Sequence, residues 1–437
     1  MPMQQTANVD PTNVGNDMYQ LMRELYPFCR SITGNGNRKT LEIIKQHIPL
    51  VVHEVPTGTQ VFDWQVPKEW NITDAYIKNG KGERIVDFRK SNLHVLNYSV
   101  PVKKKVSLAE LKQHVFAMPE HPEWIPYRTS YYKEQWAFCM TYNQLSQLTE
   151  QEYEVCVDST LKDGHLTYGE YHIPGETPDR VLISSHICHP SICNDNLSGI
   201  VLNTYLAKYL SRLSPRYSYT FLFVPGTIGP ITWLSRNETL AARIKHGLVA
   251  ACVGDGGNFN YKRSRRGNSE IDRAVIHVLK HSGRDYQVWD YVPTGYDERQ
   301  YCSPGFNLPV GCLMRTPNGM YPEYHSSGDN LDLVRPECLA ESFSMYTAVL
   351  NVIEKNKTYV NQNPKCEPQL GRRGLYALVG GQYDRKLQET AVLWVLNLSD
   401  AEHSLLDIAE QSGLRFDVIG EAADVLLQHD LLKKILG

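Results

Sequence analysis

From about residue 171 onward, segments with the texture of buried strands alternate with segments of helical periodicity, and this alternation restricts the fold more than any other feature of the chain. Strands are expected at residues 180–185, 217–224, 247–253, 286–291 and 308–314. Between the first two, Val201, Leu202, Tyr205, Leu206, Tyr209 and Leu210 fall on one helical face. A later helix opens with Ser269-Glu270-Ile271-Asp272, a capping-box-like start, and closes at Gly283. Strands joined through helices imply an α/β fold: a mixed, mostly parallel sheet with helices on both faces.

The remainder divides by texture. Residues 17–29 carry Met18, Leu21, Met22 and Leu25 on one helical face, and a second helix follows through Leu41, Ile43, Ile44 and Ile48. From Val51 to about residue 170 short alternating runs such as Gln60-Val61-Phe62-Asp63-Trp64-Gln65-Val66 take over, and Trp64, Trp70, Trp124 and Trp136 all lie there. This reads as a β-rich domain at 51–170 inserted into a discontinuous domain made of 1–50 and 171–360. A polar, Pro-containing linker at 361–371 leads to a tail, 365–437, with helix, Gly413 turn and helix, the pattern of a winged helix. Residues 381–437 hold ten acidic and five basic side chains, the wrong sign for a phosphate-binding surface, so DNA is an unlikely partner and protein docking or dimerisation is favoured.

With 437 residues, two or three domains are expected. A net charge of -3 argues against a nucleic-acid or anionic-membrane partner. No apolar run approaches the ~18 residues of a membrane span. Residues 1–5 are polar and lack a signal core, and the ten cysteines form no C-x-x-C pair, so a reduced, cytoplasmic protein is expected.

The chemistry-bearing residues stand at strand ends, where open α/β sheets collect their functional groups. The first expected strand runs into His186-Ile187-Cys188-His189, and Asn194-Asp195-Asn196 follows just before a helix. Asp255 sits in Gly254-Asp255-Gly256, Tyr296-Asp297-Glu298-Arg299 follows the fourth strand, and Glu323-Tyr324-His325-Ser326-Ser327-Gly328-Asp329 follows the fifth. Neutral imidazole and ionised carboxylate are donors that zinc prefers. Blander readings stand beside this one. His186 and Asp195 also fit a structural hydrogen-bonded pair, and Asp255 a plain turn residue. For His189 and Glu298 the structural role is preferred, and Cys188 and Cys193 read as apolar fillers before thiolate ligands. Lys262-Arg263-Ser264-Arg265-Arg266 reads first as a solvated run, although with Arg299 it also suits a clamp on a carboxylate or phosphate.

Taken in order, these motifs resemble the zinc-dependent aminopeptidase and carboxypeptidase superfamily, and within it a bacterial branch with an inserted β domain and a C-terminal winged helix. The match spans about residues 15–50 and 171–355 plus the tail. The resemblance implies that His186, Asp195, Asp255 and His325 hold one or two zinc ions, with Asp195 bridging. Two departures stand out: Cys188 occupies the place of an orienting Asp, and Gly226-Thr227 that of a Glu-Glu pair supplying a general base and a metal ligand. Glu323 and Glu298 are then the candidate replacement bases, and Tyr296, Asp297 and Arg299 candidates for holding substrate.

The function these readings imply is a metal-dependent hydrolase of aminopeptidase type, cleaving an amide at a peptide N-terminus or an N-acyl group. The alternative is a catalytically degenerate metal-binding protein linked to polysaccharide biosynthesis, an association the branch carries. The resemblance also implies a homo-oligomer, and no membrane partner is expected.

Overall fold

The computed structural model describes residues 11–375 and 382–435, so the polar residues 1–5 lie outside the described residues. Two compact units divide the chain: one runs to Ser269 and resumes over Asp285–Ser344, the other joins Glu270–Arg284 to the residues from Met345 onward. No helix of the described residues is long and apolar enough to cross a membrane.

An eight-stranded sheet organises the first unit. Its strands, in chain order, are β1 (Val51–Pro56), β2 (His165–Ile173), β3 (Thr177–His186), β4 (Tyr217–Val224), β5 (Ile244–Ala250), β6 (Phe259–Lys262), β7 (Tyr286–Trp289) and β8 (Val310–Met314). They lie in the order β1-β2-β4-β3-β5-β8-β6-β7. The central pairs β4–β3, β3–β5 and β5–β8 are parallel, while β1–β2, β2–β4 and β6–β8 are antiparallel. Every residue of β4 is buried, so both faces of the sheet centre are covered, as parallel strands require. The helix Ser198–Leu210 packs on β3, β4 and β5 and is buried over most of its length.

Three local differences from the sequence reading have physical causes. The strands Val51–Pro56 and His165–Ile173, read with the inserted region, pair into the main sheet. Gly169 permits this: a Cβ there would come within 2.8 Å of both Leu41 and Leu50, so its bare backbone lets the helix Asn35–His47 seat on β2. The insert proper is a four-stranded antiparallel sheet, Arg84–Asp87, Glu69–Lys78, Glu152–Lys162 and Val102–Ser107, with a core that includes Ala75, Ile77, Val86, Phe138 and Val155. Second, β5 ends at Ala250 rather than 253, since Cys252 turns the chain through a positive φ of 50°. Third, β6 was not legible: four residues carrying Asn260 and Lys262 lack a strand's composition, yet they pair antiparallel with β8.

In the second unit a three-stranded antiparallel sheet, Asp400–Ser404, Thr358–Asn361 and Leu432–Lys434, accompanies helices Gln382–Leu398, Leu405–Ser412 and Phe416–Gln428. Ser404 and Asp407 form a reciprocal capping box, and Gly413 at φ 70° ends the Leu405–Ser412 helix. The fold class is therefore the expected one: a mixed, mostly parallel α/β sheet followed by a winged helix.

Candidate metal centre

The carboxyl end of β3 delivers His186, only 4 % exposed, to the rim of the sheet. The loop that follows is pinned from below by one carboxylate. Asp329 accepts the backbone N–H groups of Cys193 at 3.2 Å, Asn194 at 2.5 Å and Asp195 at 3.0 Å, and the Tyr321 hydroxyl at 3.0 Å. So held, the buried Asp195 carboxylate faces three imidazoles. His186 Nε2 lies 2.9 Å from Oδ1, His325 Nε2 3.1 Å from Oδ2 and His189 Nδ1 3.4 Å from Oδ2. His186 Nε2 and His189 Nδ1 are 3.3 Å apart.

The electrostatics follow from this crowding. Burial alone would push the Asp195 carboxyl up, but His189 and His186 hold it well below the usual carboxylate range. Burial opposes charge on His186 as well, and the neighbouring Asp195 carboxylate overrides it and raises that imidazole. Asp329 is pushed up to about 7 by burial, against the N–H groups of Asn194 and Asp195 that favour its anion.

Aromatic rings wall the group. Tyr296 stacks on His186 with centroids 5.2 Å apart, and Tyr324 on His325 at 4.0 Å. Tyr127, contributed by the chain between the strands of the insert, sets its edge against His189 at 5.0 Å and His325 at 5.1 Å. Its N–H donates to the His325 carbonyl at 2.7 Å, and Ser327 N–H donates to Ile125 at 2.8 Å. His325 itself sits at φ 55°, a conformation these two straps hold.

Of the residues singled out from sequence, His186, Asp195 and His325 meet here. His189, read first as structural, joins them: the ligating atoms of His186, His189 and Asp195 lie within 4.8 Å of one another. Asp255 is not part of that group of three. Its carboxylate accepts Asn194 Nδ2 at 2.7 Å, the Thr316 hydroxyl at 2.7 Å and Gly257 N–H at 2.6 Å. It positions Asn194 in the loop.

Gly226 does border the group, since a Cβ there would stand 3.8 Å from the His186 Cβ and 3.3 Å from Cys188 Sγ. At the next position another loop supplies a carboxylate: Asp297 Oδ1 accepts the Thr227 N–H at 2.8 Å, and Arg299 Nη2 donates to the Thr227 hydroxyl at 2.9 Å. Asp297 is buried, its carboxyl pushed up by that burial, and its Oδ2 has no hydrogen-bond partner among the described residues. Glu298 is also buried and is ion-paired with Lys262. Glu323 shares the His325 loop; its carbonyl accepts the Ser326 N–H and hydroxyl, and its side chain runs along Gly328. Cys188 Sγ accepts the Gly226 N–H at 3.3 Å, and burial keeps the Cys193 thiol neutral.

The donor set fits zinc: imidazole nitrogens around a buried, anionic carboxylate, with backbone and carboxylate contacts orienting the ligands. Sequence reasoning undervalued His189 and missed Tyr127. The three-residue spacing from His186 was the available signal for the former, and none existed for the latter, which lies far before its partners His189 and His325 in the chain. Asp329 lay within the quoted His325 motif, but its clamp on three N–H groups is a property of the folded loop.

A family model described as a domain of unknown function, DUF4910, matches residues 19–356, and a winged helix-turn-helix model matches residues 357–434. A Clostridium acetobutylicum protein named for polysaccharide biosynthesis and an aminopeptidase-like domain is 55 % identical over 424 residues, 97 % of this chain and 98 % of that one. The crystal structure of a protein described as a peptidase from the same organism superposes with a TM-score of 0.93 at 54 % identity, over 98 % of both chains. A zinc aminopeptidase from Bacillus subtilis shares the fold at a TM-score of 0.58 and 11 % identity, covering 78 % of this chain and 95 % of its own. An aminopeptidase from Aneurinibacillus does so at 0.51 and 14 %, covering 79 % and 96 %. The chain belongs to the DUF4910 family, carried on an aminopeptidase-like fold and followed by a winged helix-turn-helix.

Proposed function

We propose that this protein is a zinc-dependent hydrolase of aminopeptidase type, acting on an amide at a peptide N-terminus or an N-acyl group. The observation that carries the reading is the meeting of His186, His189 and His325 around the Asp195 carboxylate. His186, Asp195 and His189 would hold one ion, with His325 on the second oxygen of Asp195. Zinc in such a set supplies Lewis acidity that polarises a carbonyl and acidifies water. The chain's own part is positional. Asp329 fixes the loop that presents Asp195, and Tyr296, Tyr324 and Tyr127 orient the imidazoles and exclude water from their faces. Asp297, whose Oδ2 has no hydrogen-bond partner among the described residues, Glu298, which pairs with Lys262, and Glu323 on the His325 loop are the candidates to accept a proton.

The test is metal content per chain on protein purified without chelators, with hydrolysis of aminoacyl anilides and N-acetylated amino acids and amino sugars. About one or two zinc ions are expected, falling by at least one in His186→Ala, with turnover lost on chelation and in Asp297→Asn or Glu323→Gln. Zinc-free protein that also takes up none on titration would overturn the reading.

One observation favours a second reading, a metal-binding protein without efficient turnover: position 226 has no side chain where a glutamate would border His186. On that reading Gly226→Glu raises hydrolysis sharply from a negligible level. On the hydrolase reading it changes an existing turnover little or lowers it.

A further inference from the structure

Arg30 is 0 % exposed, and no carboxylate stands within ion-pairing distance of it among the described residues. Backbone carbonyls hold its guanidinium instead. Nε donates to the His189 carbonyl at 2.8 Å and Nη1 to the Leu25 carbonyl at 2.7 Å, while the buried Nη2 has no hydrogen-bond partner among the described residues. Burial lowers the group to about 10, so it stays a cation at neutral pH. A buried charge without a counter-ion is unfavourable. Here the negative end of the helix Pro11–Leu25, which closes on the Leu25 carbonyl, offsets it. A neutral amide would hold one of the two carbonyls without desolvating a charge. The rigid guanidinium fork holds both in one fixed relation, which a flexible side chain does not.

The geometry of the three imidazoles shows where that matters. Tyr296 stacks on His186, and Tyr324 stacks on His325, whose carbonyl also accepts the Tyr127 N–H. His189 meets Tyr127 at 5.0 Å, His186 at 4.8 Å and His325 at 5.1 Å, edge-on in each case, and no ring stacks on it among the described residues. Its backbone is held instead. Pro190 restricts the residue before it to extended conformations, and Arg30 fixes the carbonyl. Arg30 is itself anchored, because Asn97 Nδ2 donates to its carbonyl at 2.8 Å. Two further bonds tie the same helix to the loops of the centre. The Ser191 hydroxyl donates to the Tyr26 carbonyl at 2.8 Å, and the Tyr19 hydroxyl to the Leu331 carbonyl at 2.9 Å.

We propose that Arg30 is a positioning residue for the metal centre: through the His189 carbonyl it sets that imidazole as the third donor, with the end of the helix Pro11–Leu25 as its anchor. The proposal rests on the zinc reading for the ion, and on the hydrogen bonds of this chain for the hold on His189.

Zinc titration on the full chain tests it, in wild type, Arg30→Gln, His189→Ala and the double variant. Arg30→Gln is expected to weaken zinc binding by about 10–100-fold, and by no more than about twofold further once His189 is alanine. Cobalt-loaded Arg30→Gln should show the visible absorption of His189→Ala rather than that of wild type. Arg30→Lys keeps the charge but lacks the fork; its zinc affinity should fall between wild type and Arg30→Gln, and it carries the same cycle where Arg30→Gln fails to fold. A loss repeated in full on the His189→Ala background makes Arg30 a general support of the fold and overturns the proposal, as does wild-type zinc affinity in Arg30→Gln. Histidine side-chain magnetic resonance on metal-free protein separates the proposal from the zinc reading. A His189 signal displaced in Arg30→Gln, with those of His186 and His325 in place, sustains the hold on His189 even where wild type binds no zinc, an outcome that sinks only the zinc reading. An undisplaced His189 signal sinks the proposal whatever the zinc content.

Discussion

At the scale of single residues, Asp329 does the most for the centre without facing a ligand position. One carboxylate accepts three consecutive backbone N–H groups and a tyrosine hydroxyl. Asp329→Ala strands buried donors, each worth about 1–3 kcal/mol when unsatisfied. The expected outcome is a clearly lowered melting temperature together with zinc affinity weaker by about 10–100-fold, the usual cost of losing an orienting contact. A melting loss with unchanged zinc affinity would reduce Asp329 to a purely structural role. The sequence made His186, Asp195 and His325 legible because strand ends and a local motif announce them. It could not reveal that Asp255 accepts from Asn194, Thr316 and Gly257, since Asn194 and Thr316 are distant from it in the chain.

At the scale of elements, two contacts carry predictions. Arg38 on the helix Asn35–His47 forms a bidentate pair with Glu69, at 2.8 and 2.7 Å, and Glu69 also accepts the His165 N–H. Arg38 holds the Glu69 carboxyl down at about 2. A carboxyl lowered in the fold stabilises above its unfolded value, ~4.5, and that contribution is lost as pH falls toward about 2. Glu69→Gln should therefore destabilise at pH 7 and narrow its deficit as pH drops through that window, followed by denaturant unfolding. In the second unit His277 Nε2 accepts the Phe416 N–H at 3.0 Å, and burial lowers its imidazole to about 4. The neutral ring is the stabilising form, so stability is full above the unfolded value, ~6.5, and declines as pH falls from there to about 4. Protection of the Phe416 amide, its exchange relative to an unstructured chain at the same pH, should fall across that range, and His277→Gln should flatten the profile. Long periodic elements such as the helix Ser198–Leu210 were readable from their stripe of apolar residues. The short β6 and the allegiance of β1 and β2 were not, because partners far apart in the chain, Val51 with Glu170 and Asn260 with Met314, leave no local periodicity.

At the scale of the whole molecule, the tail's five-charge acidic excess argues that the winged helix does not grip a phosphate backbone. No retention of duplex DNA is expected in a mobility-shift assay at 150 mM salt, and specific retention at that salt would refute it. The insertion carries a different consequence. Residues 125–127 strap the His325 loop, so the candidate metal centre draws on the chain that follows the inserted sheet and on a segment from within the insert. Such a centre cannot be inherited piecemeal. An ancestral exchange of the insert for another module would have had to recreate Tyr127 and the Ile125 carbonyl in register with His325, so descent in this lineage would have kept the insert and its host as a single heritable piece.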